Sequence, residues 1–235
     1  RTGFAVAGGG DVNGDGLADL LVGAPRFDRY RGAVYLVHGP VSGEIDLAGA
    51  DGVFTGERSQ TDFNYGDGDV LNVAMAGDVN GDGIDDFLVG APYWNVSISN
   101  CAHGAAFLFH GQVEAPGSRS WLTSDATFSS TDGCANVGIS TSSAGDVDGD
   151  GFDEVLVGAY RINGAFLYRG PVTGLQYVEY AEEVFDEFTW HSEHATDCAG
   201  DVNGDGIDDV VAGAYWAEHD GDDSGAAHVF FGELR

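Results

Sequence analysis

The sequence contains no lysine, and its only strongly basic side chains are nine arginines. Acidic residues outnumber them so far that the formal net charge is −30. A field of this sign repels phosphate groups, so we expect neither a nucleic-acid partner nor binding to an anionic membrane surface. The absence of lysine also excludes a P-loop, because that motif grips phosphate with a lysine side chain.

Long apolar runs and hydrolase motifs are absent as well. No run reaches the roughly 18 apolar residues that a membrane helix needs, and no signal peptide opens the chain. We therefore expect no membrane insertion and interpret the chain as a segment of a secreted or cell-surface protein. There is no Gly-x-Ser-x-Gly motif and no recurring acid pair outside the loops described next, so we expect no enzyme activity.

What the sequence has in abundance is one acidic motif of nine residues, which occurs four times. Its copies are spaced by 67, 68 and 55 residues. The four copies are Asp11–Asp19 (DVNGDGLAD), Asp78–Asp86 (DVNGDGIDD), Asp146–Glu154 (DVDGDGFDE) and Asp201–Asp209 (DVNGDGIDD).

Oxygen-bearing side chains stand at positions 1, 3, 5 and 9 of this motif, with a glycine at position 6. A loop that turns at the glycine can direct these side chains inward and add the backbone carbonyl of position 7, which gives the oxygen cage that Ca²⁺ prefers. We therefore predict four Ca²⁺ sites. The predicted ligands are Asp11, Asn13, Asp15, Leu17, Asp19, Asp78, Asn80, Asp82, Ile84, Asp86, Asp146, Asp148, Asp150, Phe152, Glu154, Asp201, Asn203, Asp205, Ile207 and Asp209.

The motif begins like an EF-hand but continues differently. An EF-hand needs a glutamate at position 12 and a helix on either side. Here position 12 is Val22, Val89, Val157 or Ala212, and each lies in a short apolar run that ends in Gly-Ala. Short apolar runs bounded by glycine or proline are typical of buried strands. Each loop is thus predicted to lead directly into a strand.

The repeat length predicts a β-propeller. Periods of this size suit a blade of four strands, and small residues before each loop suit a strand near a narrow central axis. We predict an all-β fold of four repeats, each with about four antiparallel strands and a calcium loop between strands one and two. The repeats are approximately 1–58, 59–130, 131–187 and 188–235, the last without its outer strand, and together they form one domain or part of one.

At these residues the sequence resembles a known family. The loop motif, the Val-Gly-Ala-Pro that follows it at 22–25 and 89–92, and the Gly-Ala-Val-Tyr-Leu strand at 32–36 resemble the FG-GAP repeats of the integrin α-chain β-propeller. The resemblance implies structural calcium ions that tie the first two strands of a blade together. It also implies that ligands approach the opposite face. This chain departs from the family in ending its third loop with Glu154, which suggests a looser geometry there, and in having four repeats where integrin propellers have seven blades.

Aromatic residues are concentrated in the connections predicted to lie opposite the calcium loops. Aromatic side chains in loops are common at recognition surfaces, although a tyrosine or tryptophan after Gly-Ala can also cap the core of a blade. The candidate ligand-binding residues are Arg29, Tyr30, Tyr93, Trp94, Trp190, Tyr215 and Trp216. In a propeller, Cys101 and Cys134 fall on the same face of adjacent blades, so we predict a disulfide between them and a free thiol at Cys198.

The function that follows from these features is a calcium-binding, non-catalytic, extracellular propeller that acts in adhesion or protein binding. One alternative is a lectin that uses the aromatic loops to bind sugars. Another is an accessory domain of a secreted hydrolase. The expected partner is a protein or a glycan, and self-association that completes the propeller is a further interpretation of the missing outer strand.

Overall fold

The structure is a computed structural model that describes residues 2–28, 31–56, 72–94, 102–162, 164–185, 194–214 and 225–234. Within these ranges the regular structure consists of strands and three-residue 3-10 turns. No helix in these ranges has the length and apolar content needed to cross a membrane.

The strands fall into four groups, each of which contains one acidic motif. The first repeat has β1 (Val6–Gly8), β2 (Leu20–Ala24), β3 (Ala33–Val37) and β4 (Gly52–Thr55). The second has β5 (Asn72–Gly77), β6 (Asp86–Ala91), β7 (Ala105–Phe109), β8 (Gly117–Ser120) and β9 (Ala126–Ser129). The third has β10 (Val137–Gly145), β11 (Glu154–Ala159), β12 (Gly164–Tyr168), β13 (Gly174–Tyr177) and β14 (Glu183–Phe185). The described part of the fourth has β15 (His194–Gly200), β16 (Asp209–Ala214) and β17 (Ala226–Phe230).

Each repeat forms one sheet in which sequential strands pair antiparallel. The orders are β1-β2-β3-β4, β5-β6-β7-β9, β10-β11-β12-β14 and β15-β16-β17. In the first sheet, for example, Val22 lies opposite Val6 on one side and Tyr35 on the other. The acidic motif joins the first strand to the second in all four repeats, as predicted. The predicted all-β propeller fold of integrin-α type is confirmed.

Two strands were not predicted. β8 pairs parallel with β4 of the preceding repeat, and β13 pairs parallel with β9 in the same way, so the first two sheets have five strands each. The 3-10 turn after β8 then places Trp121, which is fully buried, against Phe107, with 5.5 Å between the ring centroids. Neighbouring repeats are thus joined at the outer edge of the sheet as well as through the core.

The core lies between consecutive sheets because the middle strands are buried on both faces. In β6, Phe87 and Val89 pack toward the first sheet, whereas Leu88 belongs to the cluster shared with the third. In β11, Val155 and Val157 pack toward the second sheet and Leu156 toward the fourth. Such two-sided burial explains the continuous apolar runs of these strands. It also holds the acidic loops of successive repeats side by side at one end of the sheets.

Candidate metal centre: four acidic loops

The four acidic loops share one backbone turn, which their own side chains stabilise. In the first loop, the two carboxylate oxygens of Asp11 accept the backbone N–H groups of Asp15 (3.1 Å) and Gly16 (2.7 Å). Asp15 Oδ1 in turn accepts the N–H of Leu17 at 2.8 Å, and Asn13 Oδ1 accepts that of Asp15 at 2.9 Å. The equivalent bonds occur in the other three loops. The turn therefore gathers the side chains of positions 1, 3 and 5.

The side chain at position 9 closes the loop onto the sheet. Asp86 is fully buried at the start of β6. Its Oδ2 accepts the N–H of Val79 at 3.1 Å, and its Oδ1 accepts that of Gly111 at 2.9 Å, just after β7. Asp19 and Asp209 make the same two kinds of bond. Position 9 thus connects the loop to the second residue after the third strand.

The third loop differs at this position. Glu154 is fully buried, and its Oε2 accepts the N–H of Val147 at 2.7 Å, but its Oε1 has no hydrogen-bond partner. One carboxylate oxygen from each of Asp146, Asp148 and Glu154 lies within 4.8 Å of the others. The longer side chain of Glu154 therefore does not open the loop, because its carboxylate lies close to those of Asp146 and Asp148. A buried carboxylate oxygen without a partner is costly unless a proton or a cation neutralises it.

Burial and nearby negative charges raise the pKa of the position-9 carboxyls of the first three loops. Burial, together with the charges of Asp148 and Asp146, raises the pKa of Glu154 to about 8. Burial also raises the pKa of Asp86 to about 7, against the opposing effect of the Gly111 N–H group. Burial also raises the pKa of Asp19. Without a cation, Asp86 and Glu154 hold protons at a pH where free carboxyls have lost them.

The third loop also has a basic neighbour that the sequence analysis did not identify. Arg169, directly after β12, places its Nε 2.8 Å from Asp148 Oδ2. Its other nitrogens lie 3.0 Å from Glu182 and 3.6 Å from Glu183. The corresponding residues of the first two repeats are His38 and His110. The third loop therefore has an additional carboxylate, because Asp148 replaces asparagine. It also has the positively charged side chain of Arg169, which partly balances that carboxylate.

The oxygen-only side chains in these loops fit a hard cation. All-oxygen sets rich in carboxylates suit Ca²⁺ and Mg²⁺, and sulfur or imidazole ligands typical of zinc are not part of the motif. Comparison with known proteins identifies the family of the chain. The FG-GAP repeat pattern matches residues 2–37, 72–108, 138–165 and 195–230. The chain belongs to the FG-GAP repeat family.

Similar proteins include several integrin α chains. The chain is 30% identical to integrin alpha-5 of Xenopus laevis over 168 residues, which are 68% of this chain and 15% of that protein. It is 36% identical to integrin alpha-IIb of Homo sapiens over 167 residues, again 68% and 15%. For integrin alpha-PS2 of Drosophila melanogaster, the identity is 31% over 178 residues, 70% of this chain and 12% of that protein. The similarity thus spans a small part of each integrin α chain.

A second unpredicted feature of these FG-GAP repeats is the aspartate at position 8. Asp85, Asp153 and Asp208 accept the backbone N–H of position 1 in the preceding loop, at 2.7, 2.7 and 3.3 Å. The spacing of the predicted calcium ligands assigns no role to position 8. The one available signal was that the first loop alone has alanine there, Ala18.

Two of the seven candidate ligand-binding residues lie in the described ranges. Trp94 is half-buried and packs edge-on against Phe107, with 5.9 Å between the ring centroids. Its neighbour Tyr93 is 37% exposed. Core packing therefore accounts for Trp94, as the alternative interpretation of these aromatics supposed. Outside the described residues lie Arg29, Tyr30, Trp190, Tyr215 and Trp216.

Two of the three cysteines lie in the described ranges. Cys134 is disulfide-bonded, and Cys198 on β15 is a free, half-buried thiol. Cys101, the predicted partner of Cys134, lies outside the described residues. The pairing of these two cysteines stays a prediction.

Proposed function

We propose that the chain is a calcium-binding, non-catalytic module of an extracellular protein, and that its four acidic loops each hold one Ca²⁺ that fixes the shape of the propeller. The ligands would be the side chains of positions 1, 3, 5 and 9 and the carbonyl oxygen of position 7. When bound, Ca²⁺ supplies positive charge and flexible coordination to oxygen at the turn between the first two strands.

The observation that carries this proposal is the unpartnered Oε1 of buried Glu154. It belongs to the group in which Asp146, Asp148 and Glu154 lie within 4.8 Å of one another. Buried carboxylate oxygens in proteins nearly always have a partner, and a cation held by these three carboxylates would supply one for Oε1. Calcium is favoured over magnesium because Mg²⁺ usually keeps several waters and takes few protein carboxylates.

The proposal separates the ion from the partner. Ions at the loops would stabilise the framework, and the connections at the opposite end of the sheets would contact the ligand. We infer a protein ligand and an adhesive role, because the similar proteins are integrin α chains. Extracellular localisation is part of the same proposal, since millimolar calcium is available there to fill weak sites.

Thermal unfolding tests the role of the ion. The melting temperature should rise in millimolar CaCl₂ compared with excess EGTA at equal ionic strength, because a ligand held by the native state alone stabilises it. MgCl₂ at the same concentration should give a smaller rise. Equal melting temperatures in calcium and EGTA would contradict the proposal.

The adhesive role needs a separate experiment. Surfaces coated with the chain should retain cells or extracellular-matrix proteins in calcium and release them in EGTA. The matched control is a coat of the chain carrying Asp15→Ala, Asp82→Ala, Asp150→Ala and Asp205→Ala, which removes one predicted ligand from every loop. Equal retention by the two coats would contradict a calcium-dependent adhesive module.

A further inference from the structure

The acidic loops of neighbouring repeats are joined by a pair of reciprocal hydrogen bonds. Asp11 donates its N–H to Asp85 Oδ2 at 2.7 Å, and Asp85 donates its own N–H to the carbonyl oxygen of Asp11 at 3.0 Å. Asp78 and Asp153 repeat this pair at 2.7 and 3.1 Å. Asp146 and Asp208 repeat it again at 3.3 and 3.4 Å, and at each of these junctions position 1 of one loop meets position 8 of the next.

The chain leaves space for this contact. Gly77 and Gly145 precede position 1 and have φ angles of 73° and 75°, which side-chain-bearing residues rarely adopt. A Cβ atom at Gly77 would collide with the carboxylate of Asp153, and one at Gly145 with that of Asp208. Glycine is thus required both for the turn and for the approach of the aspartate.

Each of these aspartates stands between two predicted ion ligands. Asp85 is bonded to position 1 of the first loop, where Asp11 holds the turn through Asp15 and Gly16. It is also the direct chain neighbour of Asp86, the buried position-9 side chain of the second loop. An ion that orders one loop therefore also restricts the backbone beside a predicted ion-binding residue of the neighbouring loop.

We propose that the aspartate at position 8 couples calcium binding between adjacent loops, so that an ion in one loop raises the affinity of the next. The inference rests on the proposed calcium function and goes beyond it by making the sites a connected series. Coupling should be strongest between loops one and two and between loops two and three. It should be weaker between loops three and four, because the bonds between Asp146 and Asp208 are longer.

The test measures the affinity of the first loop with the second loop intact or disabled. The Gly16 amide reports on the first loop in NMR titrations of the whole chain with CaCl₂, and Asp82→Ala removes a predicted ligand from the second. With Asp85 present, Asp82→Ala should raise the dissociation constant of the first loop about five-fold or more. In the Asp85→Ala background, the same change should have less than about a two-fold effect.

Two features keep the test specific. Ala18 occupies position 8 of the first loop, so the turn itself tolerates alanine there. Asp85→Asn keeps an oxygen that can accept the Asp11 N–H and should retain the coupling. Hydrogen exchange of the Asp11 amide should accelerate in Asp85→Ala, while exchange of the Asp78 amide, bonded to Asp153, should not change.

The outcomes separate the two proposals. If calcium leaves the Gly16 amide unchanged in the unsubstituted chain, the calcium function itself is wrong, and the coupling with it. If calcium shifts Gly16 but Asp82→Ala has the same effect with and without Asp85, the loops bind calcium independently of position 8, and only the coupling is overturned.

Discussion

The substitution Asp86→Asn separates the structural role of a position-9 carboxylate from its proposed role as an ion ligand. Asp86 is fully buried and accepts N–H groups from Val79 and Gly111. Asparagine keeps the volume and one acceptor oxygen, so one buried N–H loses its partner, at a cost of about 1–3 kcal/mol. In EGTA the net loss should be smaller, because a neutral amide avoids the burial of a charge and the repulsion from Asp82 and Asp78, the two effects that raise the pKa of Asp86.

In calcium the same substitution should cost more. If the ion is present at 100 times its dissociation constant, a disabled site forfeits about 2.7 kcal/mol of stabilisation. The effect of Asp86→Asn on the free energy of unfolding should therefore be about 2–3 kcal/mol larger in calcium than in EGTA. Urea denaturation of both proteins under both conditions, at pH 8, gives the four values needed.

The matched control is Asp125→Asn. The Oδ2 of Asp125 accepts the N–H of His110 at 2.9 Å, but Asp125 lies outside the acidic loops. Its replacement should cost the same in calcium and in EGTA. The reasoning is refuted if Asp86→Asn also costs the same in both conditions, because Asp86 would then serve the turn alone.

Four further predictions concern pH, the third loop and the outer edge. Calcium binding at pH 7 should release about one to two protons per chain, mostly from Glu154 (pKa about 8) and Asp86 (about 7), and calorimetry in buffers of different ionisation enthalpy would detect this. Since both pKa values are raised by folding, the ion-free protein should lose stability as pH rises from about 4 to 8, and pH-independent unfolding in EGTA would contradict this. Arg169→Gln removes the positively charged side chain that pairs with Asp148, so the calcium ion meets a more negative loop. The calcium-dependent rise in melting temperature should become larger, and a smaller rise would contradict this electrostatic explanation. Trp121→Ala should destabilise the fold by about 3–5 kcal/mol in urea denaturation. Leu122 is 64% exposed, so Leu122→Ala should change stability by less than about 0.5 kcal/mol. Equal effects would contradict the packing of Trp121 between repeats.

The sheets were predictable because two local signals agree in every repeat. A run such as Phe87–Gly90 is continuously apolar and follows a turn motif, so its burial on both faces and its boundaries are local properties. β8 carried no such signal. Gly-Ser-Arg-Ser has neither alternation nor β-branched residues, and it is a strand because β4 of the preceding repeat offers an open edge.

The loops of the candidate site were predictable from the sequence, but the contacts that join them to each other and to Arg169 were not. The motif places the side chains of positions 1, 3, 5 and 9, since the turn at glycine is encoded within nine residues. The partner of Asp85 lies 74 residues away in sequence, and one more aspartate in an acidic motif attracts no notice. Arg169 likewise pairs with Asp148, which belongs to a loop that precedes it in the sequence. The one signal in the sequence was that an arginine stands where the first two repeats have His38 and His110.

Whether the four loops bind calcium is best decided by counting the ions that the chain holds. Equilibrium dialysis of the chain against ⁴⁵Ca²⁺ in Chelex-treated buffer, with millimolar magnesium as competitor, measures ions per chain without assuming any effect on stability. We expect saturation at four Ca²⁺ per chain, and at three when the position-5 aspartate of one loop is replaced by alanine. Saturation below one ion per chain would show that the acidic loops are not calcium sites.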